Sequence, residues 1–163
     1  MRRRATASLI ALGGIVAAVM LLPFGAFAGH TNTVLNADLN GRAEAGTGSN
    51  NAVVGDPNGR GEVYVFGIDG DPTTLCYVLL VDKIETATAA HIHEAPAGTN
   101  GPVVVNLAAP FDGDAADCLT EGEAGKFVGG QAVADILANP ADYYVNVHNA
   151  EYPGGAIRGQ LSN

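Results

Sequence analysis

From Thr33 onward the chain is a succession of short strand-forming runs, each broken by a turn rich in Gly, Pro, Asn or Asp. That spacing leaves little room for anything but a β fold. Glu62 to Ile68 (Glu-Val-Tyr-Val-Phe-Gly-Ile) alternates polar and apolar, and Asp69-Gly70-Asp71-Pro72 turns it back into Thr73 to Val81. The pair is expected to form a hairpin. Leu75 to Val81 is apolar on both faces, as a central strand would be. Thr33 to Leu39, Thr86 to His93, Val103 to Leu107, Tyr143 to His148 and Ala156 to Leu161 supply the remaining strands. Pro153-Gly154-Gly155 makes a second hairpin of the last two. Only Gln131 to Ala138 carries helical spacing, with Val133, Ile136 and Leu137 on one face and Asn139-Pro140 ending it. Two stretches, residues 41–61 and 111–130, read as loops, the first at the surface and the second acidic and glycine-rich. The expected fold is all-β: an antiparallel β-sandwich or small barrel of about seven strands with one short helix.

The first 28 residues do not belong to that pattern. Arg2-Arg3-Arg4 precedes an uncharged apolar run from Leu9 to Leu22, Pro23 breaks it, and Ala26-Phe27-Ala28 offers a small-x-small cleavage site. Residues 1–28 are therefore expected to be a signal peptide, against the alternative of a retained membrane anchor, leaving residues 29–163 as one exported domain. Export implies action outside the cytoplasm, at the cell surface or in a periplasm. Losing three arginines moves the formal net charge from −9 to −12. Such an acidic chain is a poor partner for nucleic acid or anionic lipid. Cys76 and Cys118 are the only cysteines, and in an oxidising compartment they are expected to pair.

Three of the four histidines lie on strand-forming runs: His91 and His93 in Ala89-Ala90-His91-Ile92-His93, and His148 in Tyr143-Tyr144-Val145-Asn146-Val147-His148. Residues two apart on a strand share a face. Alternation likewise groups Tyr144, Asn146 and His148, and groups Ala156, Arg158 and Gln160. Aligned faces would make one cluster of three imidazoles, the Asn146 amide and the Arg158 guanidinium.

Four motifs in order, Ala90-His91-Ile92-His93, Asn100-Gly101-Pro102-Val103-Val104, Tyr144-Val145-Asn146-Val147-His148 and Ile157-Arg158-Gly159-Gln160-Leu161, resemble the CHRD domain. The resemblance covers about Thr33 to Leu161. It implies a β-rich extracellular module with an interaction or assembly role, and no established chemistry. Family members tend to carry Gln-Glu-x-Pro after the first strand. Here Arg42-Ala43-Glu44-Ala45 keeps the acid and lacks the proline, so Glu44 is expected to take the family's acidic position.

The cluster of His91, His93, Asn146, His148, Arg158 and Glu44 has two readings. In one it is a polar network that fixes the fold, with Arg158 paired to an acid such as Glu44. The chain is then a non-enzymatic binding or assembly module for an unknown protein or extracellular surface, with self-association open to it. In the other, His91, His93 and His148 form a mononuclear copper or zinc site. The His-x-His pair is similar to the copper ligands of copper–zinc superoxide dismutases, but a dinuclear site of that kind needs more than four histidines. Arg158 would repel a cation unless Glu44 or Glu94 intervened. No nucleophile–base–orienter set suggests an enzyme. His30 would become the second residue after cleavage, placed to chelate copper with the new amine or simply be solvated. Asp112 to Asp117 is oxygen-rich, yet its spacing fits no EF-hand and reads as a solvated acidic loop. The glycines around Gly59 and Gly98 precede no helix and hold no phosphate.

Overall fold

The computed structural model describes residues 33–46 and 53–163. Among the described residues, eight strands form one antiparallel sheet: β1 (Val34–Asn40), β2 (Arg60–Ile68), β3 (Asp71–Asp82), β4 (Ala87–Glu94), β5 (Val103–Leu107), β6 (Asp114–Thr120), β7 (Tyr143–Asn149) and β8 (Ile157–Gln160). A short helix, α1 (Val133–Ala138), precedes β7. The order across the sheet is β5-β4-β7-β8-β1-β2-β3-β6.

The sheet curls until its ends almost meet. The segment after β6 lies along the free edge of β5: Asn106 N–H donates to Lys126 O at 2.9 Å and Val128 N–H to Val104 O at 2.9 Å. That covers an edge that would otherwise offer itself to another chain. The Tyr77 hydroxyl on β3 accepts from Ala108 N–H at 2.7 Å and ties the two ends together. The barrel-like, all-β expectation holds.

Inward positions follow the two-residue period. Leu35, Ala37 and Leu39 of β1, Val63 and Val65 of β2, Leu75, Tyr77 and Leu79 of β3, and Ile92, Val145, Val147 and Ile157 beyond them all join one buried core. Val133, Ile136 and Leu137 of α1 belong to it too, so the helix contributes its apolar face as its spacing predicts. Asn139 N–H reaches back to Asp135 O at 3.0 Å where Pro140 stops the helix.

Both expected hairpins form, β2 with β3 and β7 with β8. The Asp69-Gly70 turn uses Gly70 at φ 81°, a left-handed conformation that glycine adopts without steric cost. The eighth strand, β6, falls inside the stretch read as an acidic loop. Its Asp-Ala-Ala-Asp-Cys-Leu-Thr sequence has little β propensity; it is held by pairing with β3 and by the Cys76–Cys118 disulfide, two residues in direct register. Here tertiary context overrides local preference.

The other long loop also differs from its reading. Gly55 and Asp56 are buried, and Asp56 N–H donates to Ala156 O at 2.8 Å. The end of that connection therefore folds down over the outside of the barrel instead of standing in solvent.

Candidate metal centre

Because Ile92 points into the core, His91 and His93 point out through the barrel wall. Register decides what joins them. His91 stands opposite Asn146, His93 opposite Tyr144 and Ala89 opposite His148 on β7. Asn146 in turn faces Arg158, and Tyr144 faces Gln160, on β8; Arg158 also pairs with Asn40 at the end of β1. Residues paired across a ladder share a face, so pleating gathers His91, His93, Asn146, His148 and Arg158 on one outer patch.

Three connections roof that patch. Asn40 Oδ1 accepts from Arg42 N–H and Ala43 N–H, both at 3.1 Å, and this cap bends a short 3-10 turn that delivers Glu44. The connection after β4 is held down by Arg158, whose Nη1–H donates to Thr99 O at 2.8 Å and whose Nη2–H donates to Pro96 O at 3.2 Å. Gln160 Nε2–H adds Ala95 O at 3.0 Å. The β7–β8 connection brings Pro153 and Gly155 over the other side.

The three imidazoles place their ligand atoms within 4.8 Å of one another. His91 Nδ1 and His148 Nε2 are 3.1 Å apart. Two nitrogens on a tetrahedral zinc lie about 3.3–3.4 Å apart, so that pair already spans nearly the edge such an ion needs. His148 Nδ1–H donates to Pro153 O at 3.1 Å, and His93 Nδ1–H donates to Gly101 O at 3.0 Å. Each bond fixes the tautomer with a lone pair on Nε2. His148 Nε2 then accepts from His91 Nδ1–H. His93 Nε2 accepts from nothing, although His93 is only 8% exposed.

Burial holds the three rings neutral. It pulls His91 down to about 4, helped by the charges that His148 and His93 would carry. Burial is also the main cause that lowers His93 and His148. Neutral imidazole is the form that binds metal.

Arg158 is 1% exposed and lies flat on Tyr144, its guanidinium carbon 3.3 Å from the ring centroid. On the other side Tyr144 stacks on His93. The ring stands between the guanidinium and His93, although the Arg158 charge still disfavours the protonated form of that imidazole. The ion pair expected between Arg158 and Glu44 is replaced by hydrogen bonds: the guanidinium goes to roof carbonyls, and Glu44 Oε2 accepts from Asn146 Nδ2–H at 3.4 Å. Glu94 stands apart, in register with Tyr143 on the opposite face and hydrogen-bonded by Gln131 Nε2.

The structure thus brings together His91, His93, His148, Asn146, Arg158 and Glu44. Among the described residues, the histidine trio is the one group of three or more His, Cys, Asp or Glu side chains whose ligand atoms lie close enough to share a metal ion. Asp114 and Asp117 lie on β6, where Asp117 contacts Lys126 at 3.6 Å. The signal segment and His30 lie outside the described residues. Sequence reading missed the orienting carbonyls of Gly101 and Pro153, which carry no side-chain signature. It also missed Tyr144 as a plate between the Arg158 guanidinium and the His93 ring.

No described helix is long and apolar enough to cross a membrane. No curated protein and no solved structure matches the chain. The CHRD domain model does, over residues 35–161, which takes in every strand but the first residue of β1. The protein belongs to the CHRD domain family.

Proposed function

We propose that this CHRD domain is an extracytoplasmic metal-binding protein that holds one zinc or copper ion with His91, His93 and His148. The observation that carries this reading is His93 Nε2, a buried lone pair with no donor, beside the facing nitrogens of two other neutral imidazoles. A purely structural network would be expected to satisfy that atom, since an unpaired buried polar group costs about 1–3 kcal/mol. The Nδ1–H bonds to Gly101 and Pro153 are the outer contacts that metal-bound histidines ordinarily make. Three neutral ligands leave a coordination position open for water or a small ligand.

The test is elemental analysis of protein secreted with native processing, followed by zinc and copper titration of His91→Ala, His93→Ala and His148→Ala. One equivalent of metal, lost in each variant, supports the reading. Metal-free protein that takes up neither ion refutes it and leaves the histidines as a fold-fixing network.

A second reading, a binding or assembly module, draws on a different surface. Tyr143 and Val145 are in the core and take no part in it. The outer face of β1, β2 and β3 instead exposes Val34, Tyr64, Val78 and Leu80, with Tyr64 opposite Val78. Sizing with light scattering, with and without Val78→Glu, tests whether that face joins copies of the chain.

A further inference from the structure

Glu44 is housed in a way that an ordinary surface acid is not. A Cβ at Gly155 would come within 2.5 Å of Glu44 Oε2, and one at Gly55 within 2.5 Å of Glu44 Cγ. Two glycines from separate roof segments thus make the room this side chain fills. Its surroundings supply few donors. From β7 it receives the single long bond from Asn146 Nδ2–H, at 3.4 Å. From β8 comes Arg158, the nearest charge, whose hydrogen bonds go to Thr99, Asn100 and Pro96. From β4 come only the neutral imidazoles opposite β7. Asp56, beside Gly55, turns its carboxylate to Asn58 N–H and Gly59 N–H.

The result is a pair of orphans. Glu44 Oε1 and Asn146 Oδ1 are both buried acceptors without a donor, and they belong to the two side chains already joined through Oε2 and Nδ2. An ionised carboxylate there would leave both oxygens unsatisfied, at a cost for each. One proton resolves both. Placed on Oε1, it turns the acid into a donor, and Asn146 Oδ1 is the unpartnered acceptor on the side chain to which Glu44 is already joined.

We propose that Glu44 and Asn146 form a proton-holding site: near neutral pH Glu44 is an uncharged carboxylic acid donating to Asn146, and a cation bound by the histidines drives its proton into solvent. The second half rests on the metal reading above; the first does not. The O–H bond of Glu44 breaks, the electron pair stays on the carboxylate, and no other group changes oxidation state. Burial pushes the Glu44 carboxyl up to about 7, against the opposing pull of Arg158 and Asn146, which agrees with the geometry. A dication lodged on the far side of Asn146 favours the anion. The exchange keeps the roofed patch from gaining two positive charges outright.

Infrared difference spectra of metal-free protein test the acid directly. At about pH 6 the wild type shows a protonated-carboxyl stretch that disappears as pH is raised past neutrality, and Glu44→Gln lacks it. Glutamine keeps a donor for Asn146 Oδ1, so the variant retains the packing. Absence of the band in wild type overturns the proposal in favour of an ionised acid bridged by water. Zinc titration in weak buffer at about pH 6.5 tests the coupling: the wild type releases more protons per bound zinc than Glu44→Gln, by up to about one. Equal release overturns the coupling. If zinc does not bind at all, the coupling falls with the metal reading, while the spectrum still decides the acid.

Discussion

His93 and Tyr144 lie face to face across the β4–β7 pair, their ring centroids 4.8 Å apart and their planes 8° from parallel. Tyr144 also accepts from Gly101 N–H at 3.2 Å, next to the carbonyl that orients His93. Tyr144 therefore sets the ring both by stacking and by holding the loop it bonds to. Tyr144→Phe should keep the stack and cost about 1 kcal/mol in denaturant unfolding. Tyr144→Leu should cost about 2–4 kcal/mol and weaken metal binding on the order of tenfold or more, measured by competition with a chelator.

Metal should stabilise the fold by mass action. At free zinc of about 100 times Kd, the gain is about 2.7 kcal/mol, seen as a rise in melting temperature. His93→Ala should abolish that rise. Thr74→Ala, on β3 and away from the cluster, should leave it intact.

Two opposing titrations shape the metal-free stability profile. The histidines have folded pKa values below their ordinary 6.5, so the unfolded chain binds more protons in that range and stability falls as pH drops from about 6.5 towards about 4, where His91 titrates. Glu44 runs the other way. Its folded value of about 7 lies above the usual 4.5, so its contribution is full below 4.5 and is lost as pH rises to about 7. Glu44→Gln removes only the second effect. Its stability relative to wild type should therefore climb between these limits, by about 2–3 kcal/mol, in urea melts taken at several pH values.

The disulfide spans 42 residues of sequence and closes β6 against β3. Replacing both cysteines by alanine should lower stability by about 4 kcal/mol in the chain-entropy picture. β6 should be the first element to exchange its amide hydrogens, because its own sequence gives it little reason to be a strand.

Most of this architecture was legible because alternation and turn chemistry agree along the chain. Glu62 to Ile68 could hardly be anything but a strand. β6 was not legible, since its strand character comes from Cys76 and the neighbouring ladder, neither of which is local. The site divides the same way. That His91 and His93 share a face follows from the two-residue period; that His148 joins them depends on β4 and β7 being neighbours, which no single run reveals. Charge alone suggests an Arg158–Glu44 pairing. It gave way because the roof offers Arg158 carbonyls and Tyr144 a flat face, and because Asn146 stands against Glu44.

The imidazoles occupy the exterior of a wall whose interior is mainly hydrocarbon. A lineage could discard the ligands and keep the shell, or restyle the roofing segments around an unchanged shell, and the same scaffold would serve descendants with quite different tasks.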